Sequence, residues 1–386
     1  MKTKQDLTDF KNDAIKLKRQ IRSSLKLQGF KIEKGELIVS DSLDKNVLRS
    51  LHQMSLKKKI ESATKTIKKH EPDLINYIAN GSDIVPQEIS PKIILVKGGS
   101  FEALLFRYAT LHWSIPISSG YGRRLRFLVM DCSNNKLIGI IGLGDPVFAL
   151  GPRDKAIGWT LEQKKERLYH VMDAFVLGAI PPYSNLLCGK LIAMLALTTK
   201  VKDEFRKKYS NSVSLILKKK RKPILAMITT TSAFGRSSMY NRIKVNGREY
   251  WQSVGYTLGT GDFHFSNGVY DAISSFVKNH CDPTARHNSW GGSGFRNRRE
   301  VVKKTLKILE MPNSFINHKV CREVVIAPFG KNTFEFLRGE KSMINSIALS
   351  PSDTFDIFRE RWLLPRAMRN SDYKLFKNQE FQLWEK

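Results

Sequence analysis

The chain has 386 residues, of which 41% are hydrophobic, and at roughly 100–200 residues per domain this length predicts two or three domains. The hydrophobic share is enough to build a core, which excludes an intrinsically disordered chain. The longest apolar runs, such as Ile192–Leu197, are far shorter than a membrane span, and MKTKQDLTDFKND contains no apolar signal segment. We therefore expect a soluble, cytoplasmic protein.

The charge balance is the strongest bulk property of the sequence. The chain has 65 Lys and Arg against 36 Asp and Glu, a formal net charge of +29. This excess is well beyond the roughly 2–8 charges that keep a small domain soluble. A basic protein attracts polyanions, and neutralising phosphates releases their counterions. We therefore expect a nucleic-acid partner, with DNA as the first candidate.

The cysteines and histidines do not predict a metal site. The cysteines are Cys132, Cys188, Cys281 and Cys321, and no two of them have the CxxC spacing of a zinc knuckle. The eight histidines form neither an HxxxH nor an HEXXH pattern. Thiols spread this widely are typical of free cysteines in a reducing compartment. The sequence identifies no cofactor.

Residues 1–92 are predicted to form a basic, mostly helical region. Apolar residues step by three or four from Leu7 to Leu25, and a second such stripe from Leu48 to Ile67 ends before Pro72. A short extended piece at Phe30–Val39 lies between the two predicted helices.

Residues 93–284 are predicted to form an α/β core. The predicted strands are Lys92–Val96, Leu125–Asp131, Leu137–Leu143, Asp173–Ile180 and Pro223–Thr231. The predicted helices are Leu161–Met172, Gly189–Tyr209 and a short one near Ser237–Ile243. The segment CSNN between the second and third strands predicts a hairpin turn, because Asn tolerates positive φ. Residues 285–386 are again basic and predicted to be helical, so the fold class is a mixed α/β core with flanking helical regions.

Several basic residues are candidates for phosphate contacts, which need only charge and reach. They are Arg123, Arg124, Arg126, Arg153, Lys155, Lys218, Lys219, Lys220, Arg221, Lys222, Arg296, Arg298 and Arg299. Two structural interpretations stay open here. Arg153 could instead pair with Asp154 in a turn, and the KKKRK run at Lys218–Lys222 could be a solvated loop.

The segment TTTSAFGRSSMYNR predicts an anion-binding turn after a strand. Thr231, Ser232, Arg236 and Ser237 would offer hydroxyl groups, a guanidinium group and free backbone N–H groups to a phosphate or carboxylate. One of the two serines at 237 and 238 is also expected to cap the next helix.

Six long motifs of unusual composition stand out along the chain: SGYGRRLRFLVMD, IGLGDPVFALGPRDKAIGW, VMDAFVLGAIPPYSNLLCGKL, TTTSAFGRSSMYNRI, REYWQSVGYTLGTGDFHF and RERWLLPRA. Together they resemble the DruA family of the Druantia bacterial anti-phage defence system. The resemblance implies a role in defence against phage, beside other Druantia components that include a large helicase-like protein. It implies no mechanism.

The order of the core elements resembles a GNAT acyltransferase. In that fold a strand and helix hold an acyl-CoA pyrophosphate, and a later helix carries a tyrosine that protonates the leaving thiolate. The resemblance places Tyr240 as the acid and Asp173 or His170 as the base. The pyrophosphate loop would include Asn185, Cys188, Gly189 and Lys190, where Lys190 replaces a small residue. Two alternatives stay open: the loop binds a different anion with the help of the Lys190 charge, or it binds none and the prolines 181 and 182 only end a strand.

The sequence therefore favours a defence protein that binds nucleic acid, or a nucleic-acid-bound complex, through phosphate contacts. One alternative is a GNAT-like transferase that modifies a base, a nucleotide or a protein amine. Another is an oligomeric scaffold of the defence complex.

Overall fold

The structure is a computed structural model that describes residues 4–39, 45–117, 122–213, 220–245, 247–266, 268–281 and 295–384. Its α helices are α1 (Lys4–Leu27), α2 (Lys45–Ile67), α3 (Glu71–Leu74), α4 (Phe101–Leu111), α5 (Gly151–Ile157), α6 (Leu161–Arg167), α7 (Cys188–Leu195), α8 (Thr199–Tyr209), α9 (Val269–His280), α10 (Phe295–Ile308), α11 (Thr333–Arg338), α12 (Pro351–Phe358) and α13 (Leu364–Arg369). Its strands are β1 (Phe30–Glu33), β2 (Glu36–Val39), β3 (Pro91–Leu95), β4 (Arg124–Asp131), β5 (Lys136–Gly144), β6 (Val171–Ala179), β7 (Met227–Thr231), β8 (Lys244–Val245), β9 (Arg248–Glu249), β10 (Gln252–Tyr256) and β11 (Glu323–Pro328).

A seven-stranded mixed sheet organises the fold. Its strand order is β10-β11-β7-β6-β5-β4-β3, and helices flank it. The β6–β7 pair is parallel, and the other pairs in this sheet are antiparallel. The predicted mixed α/β fold class is confirmed. Among the described helices, none combines the length and apolar character needed to cross a membrane.

The predicted hairpin between β4 and β5 is confirmed. Asn135 has a φ of 58°, and the Asn134 side chain accepts a hydrogen bond from the backbone N–H of Lys136 at 3.0 Å. Asparagine fits both positions because its short polar side chain bonds locally and tolerates left-handed backbone. The hairpin fixes the register of β4 against β5, on which the site described below depends.

The two faces of the sheet are covered differently. One face packs continuously against α7, α8 and α12. The other face is covered at one side by α2, α3 and α4, and at the other side by α5 and α11. Between these two helical groups, β5 presents Gly142 and Gly144, which have no side chains. The ring of Phe175 from β6 lies over both glycines, and this part of the face contributes to the site described below.

A helical layer lies beside the sheet and draws on both ends of the chain. It is formed by α1, the β1–β2 hairpin, the start of α2, α9 and α10, which share one apolar core. The regions 1–92 and 285–386 were predicted as separate arms, but α1 and α10 contribute to this common core. The domain division itself stays a prediction.

Strand β11 is the main difference from the sequence-based expectation. The EVVIAP run lies inside the C-terminal region that was predicted to be helical, yet it forms a buried strand between β7 and β10. A short apolar run has no periodicity that separates a buried strand from a helix. The segment forms a strand because it pairs with β7 and β10, and the sequence does not show this pairing.

Four predicted helices also end earlier or divide. The helix predicted near Ser237–Ile243 is only a single 3₁₀ turn in the structure. The helix predicted for Leu161–Met172 ends at Arg167. The predicted Gly189–Tyr209 helix is interrupted where Thr198 adopts extended backbone. The helical prediction for the C-terminal region is interrupted between α12 and α13 by a π-helical segment, Arg359–Leu363, ahead of a proline that cannot donate a helical hydrogen bond.

Candidate nucleic-acid interface

A cleft of about 750 Å³ opens between the sheet and the helical layer, and we call it the basic cleft. Its floor includes Arg124 and Arg126 from β4 and Phe175 from β6. Helices α2 and α4 form one wall, and the other includes Phe263, Ser266, Arg298 and Arg322. The cleft therefore joins parts of the chain that are 270 positions apart (from His52 to Arg322).

The basic cleft has a strongly positive lining. Its Lys and Arg residues are Lys58, Lys59, Arg107, Arg124, Arg126, Arg298 and Arg322, and no Asp or Glu lines it. Lys58 pairs with Asp271, and Arg298 lies 2.7 Å from Asp262. Within the described part of the chain, the other five cations have no carboxylate partner. An anion entering the cleft would meet unneutralised charge.

The register of the sheet explains why two arginines project from its floor. Arg124 pairs with Gly144 and Arg126 with Gly142, while Leu125 points to the opposite face. Side chains alternate between faces along a strand, so the sequence Arg-Leu-Arg gives one cationic stripe. Because β5 has glycine at both paired positions, no neighbouring side chain from that strand covers the stripe.

Burial changes the ionisation of several cleft residues. It lowers the pKa of Lys59 to about 8, although its ammonium group donates to the carbonyl oxygen of Ile117. Burial and the neighbouring Arg126 lower the pKa of Arg124. Burial first, and then the charge of Arg322, lowers the pKa of His52 to about 4, so this imidazole is neutral. Desolvation is the largest cause of each shift, and repulsion from Arg126 adds to it for Arg124. A bound anion would favour the charged forms of these cations.

The structure separates the predicted arginines 123, 124 and 126. Arg123 is largely buried, where its guanidinium group binds Asp145 at 2.7 Å and the Tyr169 carbonyl oxygen at 2.6 Å. Its charge is neutralised, so it is a structural residue outside the basic cleft. Arg124 and Arg126 remain candidates.

The other predicted basic residues are dispersed. Arg298 lines the basic cleft, whereas Arg299 does not. Lys220 and Lys222 are exposed, and Arg221 donates to the Lys165 carbonyl oxygen beside α6. Lys155 is exposed on α5. Lys218, Lys219 and the Arg296 side chain lie outside the described residues.

Arg153 does not reach the surface. It is 0% exposed, and its guanidinium group bonds to Asp154 and to the carbonyl oxygens of Val147 and Phe148. The open alternative of an Arg153–Asp154 pair is the arrangement observed. A buried, neutralised guanidinium group cannot bind a phosphate in solution, so we exclude Arg153 from the proposed surface.

Two of the three predicted acid–base residues lie near each other. Burial raises the pKa of Asp173 to about 7, which Arg153 opposes. Burial and the charge of Asp173 raise the pKa of Tyr240, and a hydrogen bond with the Thr230 hydroxyl group opposes part of this rise. His170 contacts Ile224 and Phe336 instead, and burial lowers its pKa to about 4.

The predicted pyrophosphate loop is covered by the C-terminal helices. Arg366 donates to the backbone carbonyl oxygen of Asn185, and the Lys190 ammonium group lies over the Trp362 ring. Cys188 is fully buried, which raises the pKa of its thiol, and a Cβ at Gly189 would lie 3.1 Å from the Met239 sulfur. The arrangement leaves little room for a ligand against the α7 backbone.

A carboxylate of the chain itself occupies the predicted anion-binding turn. Buried Glu323 accepts hydrogen bonds from the Ser237 backbone N–H at 2.8 Å and from Asn241 at 3.0 Å. Arg236 is exposed, while Thr231 and Ser232 lie at the end of β7. An external anion would have to compete with Glu323.

Most residues of the basic cleft were not singled out from the sequence, among them Lys59, Phe106, Arg107, Phe175 and Arg322. The first four look like ordinary members of a helix or strand when read alone, and Arg322 lies just before a strand. The available indication was the pattern R-x-R in β4 followed by G-x-G in β5, which predicts an uncovered basic stripe once the hairpin is recognised. Within the described segments, no group of three His, Cys, Asp or Glu could hold a metal ion.

The comparisons with known proteins agree on one family. The model for "Druantia protein DruA" matches residues 42–339. The chain is 39% identical over 365 residues to the Druantia protein DruA of Escherichia coli (strain UMEA 4076-1), which covers 94% of this chain and 90% of that protein. No solved structure matches significantly. The chain therefore belongs to the DruA family of Druantia proteins.

Proposed function

We propose that this DruA-family protein acts in the Druantia anti-phage defence system by binding nucleic acid in the basic cleft. The observation that supports the proposal is the lining of the cleft, which contains seven Lys and Arg residues and no Asp or Glu, and only Lys58 and Arg298 of the seven pair with a carboxylate among the described residues. Lys and Arg contacts to phosphates supply most of the affinity of sequence-independent binding. DNA and the other Druantia components are the partners that we expect.

The test replaces Arg126 with alanine and uses Arg22→Ala as the matched control. Arg22 is exposed on α1 and does not line the cleft, so both variants lose one positive charge. A charge-assisted hydrogen bond contributes about 1.5–3 kcal/mol, so Arg126→Ala should weaken oligonucleotide binding at least tenfold and reduce phage protection. Equal binding by the two variants would refute the proposal.

A transferase is the second candidate function, because one observation favours acid–base chemistry. Asp173 has a pKa near 7, close to the value that suits a general base at neutral pH, and it lies near Tyr240. The order of the strands along the chain is compatible with the GNAT resemblance. Calorimetry with acetyl-CoA tests this candidate, and binding that Lys190→Ala strengthens would favour it over a binding module.

A further inference from the structure

The shape of the basic cleft restricts the kind of nucleic acid that fits. A duplex presents its phosphates on the outside of a rod, and protein elements project into its grooves. The cleft cations instead line a concavity of about 750 Å³, a size typical of sites that enclose a ligand. We infer that the basic cleft receives an unpaired nucleic-acid strand and not a duplex, an inference that rests on the proposed function.

Two aromatic rings in the cleft provide surfaces for unpaired bases. Phe175 and Phe263 line the cleft and are half-buried. The Phe263 ring also contacts the rings of His52 and His318, with centroids 4.8 and 4.6 Å away. Bases stack on such rings with little sequence preference, and this requires that the base faces are not already stacked in a duplex.

Two arginines of the cleft floor each lie beside an aromatic ring, so groups that bind phosphates and groups that bind bases are close together. The Arg124 guanidinium group lies 5.3 Å from the centre of the Phe175 ring. The Arg126 group lies 5.8 Å from the centre of the Phe106 ring, which is itself buried. A planar guanidinium group can stack on a base and also donate to a phosphate. The cleft floor could therefore bind the base and the phosphate of one nucleotide.

The backbone of β5 and β6 fixes the position of the Phe175 ring. The β5–β6 register passes from Gly142–Val176 to Leu143–Ala174, so Phe175 is the extra residue of a bulge. A Cβ at Gly142 would lie 2.6 Å from the tip of the Phe175 ring. Bulges commonly redirect a side chain beside a functional site. The ring therefore lies over β5 only because residue 142 has no side chain.

The experiment measures fluorescence anisotropy with a labelled 20-nucleotide single strand and with the matching blunt duplex, at one salt concentration. Wild type should bind the single strand more tightly. Phe175→Leu and Phe263→Leu should each weaken binding to the single strand by roughly five- to a hundredfold, the range for losing one stacked base. Phe101→Leu, which removes an exposed ring outside the basic cleft, should have no effect. Thermal melting identifies a variant that fails to fold, and the second ring variant then carries the test.

The outcomes separate the inference from the proposed function. If Arg126→Ala weakens both nucleic acids equally while the two ring variants bind normally, the inference is overturned and the proposed function stands. If wild type binds neither nucleic acid, the proposed function fails and the inference with it. Loss of single-strand binding in the ring variants, with duplex binding unchanged, supports both.

Discussion

Lys59 is the cleft cation whose charge changes most readily with pH. Its pKa of about 8 in the free protein means that it is mostly charged at pH 7 and mostly neutral at pH 9. A bound phosphate favours the charged form and raises this pKa. Linkage then predicts that affinity falls as pH rises, by up to about tenfold between pH 7 and pH 9.

Lys59→Met should remove this pH dependence. Lys57→Met is the control, because Lys57 is exposed on the same helix and does not line the basic cleft. Anisotropy titrations across the pH range are the measurement. A Lys59→Met variant that keeps the wild-type pH profile would show that another group is responsible.

Asp173 should reduce the stability of the protein as pH rises. Burial raises its pKa from 3.8 to about 7, so between these values the folded state binds more protons than the unfolded state. The free energy of unfolding therefore falls with rising pH over this window, and Asp173 costs stability above pH 7.

Asp173→Asn should accordingly be more stable than wild type at pH 8, by about 1–3 kcal/mol. The stability difference between the two proteins should be smaller at pH 5. Urea denaturation at both pH values measures the difference, with exposed Asp356→Asn as the control. A stabilised variant that no longer protects cells would indicate that the carboxyl group is functional. No difference between pH 5 and pH 8 would contradict the raised pKa.

At the scale of elements, the C-terminal tail (residues 376–384) binds α3 and α4, and α4 forms one wall of the cleft together with α2. Buried Glu71 of α3 accepts from the backbone N–H of Leu383 at 2.7 Å and of Trp384 at 3.3 Å. The Tyr108 hydroxyl group of α4 donates to the same carboxylate at 2.8 Å. The tail thereby connects α3 to α4.

Glu71→Gln should destabilise the protein by about 1–3 kcal/mol, because one carboxylate oxygen becomes an amide that faces N–H donors. Limited proteolysis should release the tail faster, and thermal melting should show the loss of stability. Glu61→Gln, at an exposed position on α2, provides the comparison. Identical melting of the two variants would show that the tail contacts contribute little.

The elements also show which features of the fold could be predicted from the sequence. The β4–β5 hairpin was predictable because Asn134 and Asn135 act locally. Strand β11 was not, because its place between β7 and β10 depends on pairing with distant residues. For the same reason Arg322, which directly precedes β11, was not recognised as a cleft residue. Local chemistry is readable in the sequence, but side chains brought together by long-range pairing are not.

At the scale of the whole molecule, the net charge of +29 indicated a polyanion partner but not where it binds. Of the predicted basic residues, Arg124, Arg126 and Arg298 line the basic cleft, while Arg123 and Arg153 are buried structural residues. Charge counts cannot distinguish these roles, because each depends on which carboxylates fold beside the cation. Whether the protein is an oligomer stays a prediction, which light scattering would test.

The central claim is that the basic cleft, and not the overall charge, binds the phosphates. The most direct test is a salt titration of single-strand affinity for wild type, for Arg124→Ala/Arg126→Ala, and for Arg19→Ala/Arg22→Ala on the exposed side of α1. Each phosphate contact on a single strand contributes about 0.7 to the log–log slope. The account predicts that the slope falls by about 1.4 in the cleft variant only. An unchanged slope in the cleft variant, or an equal fall in the α1 variant, would contradict it.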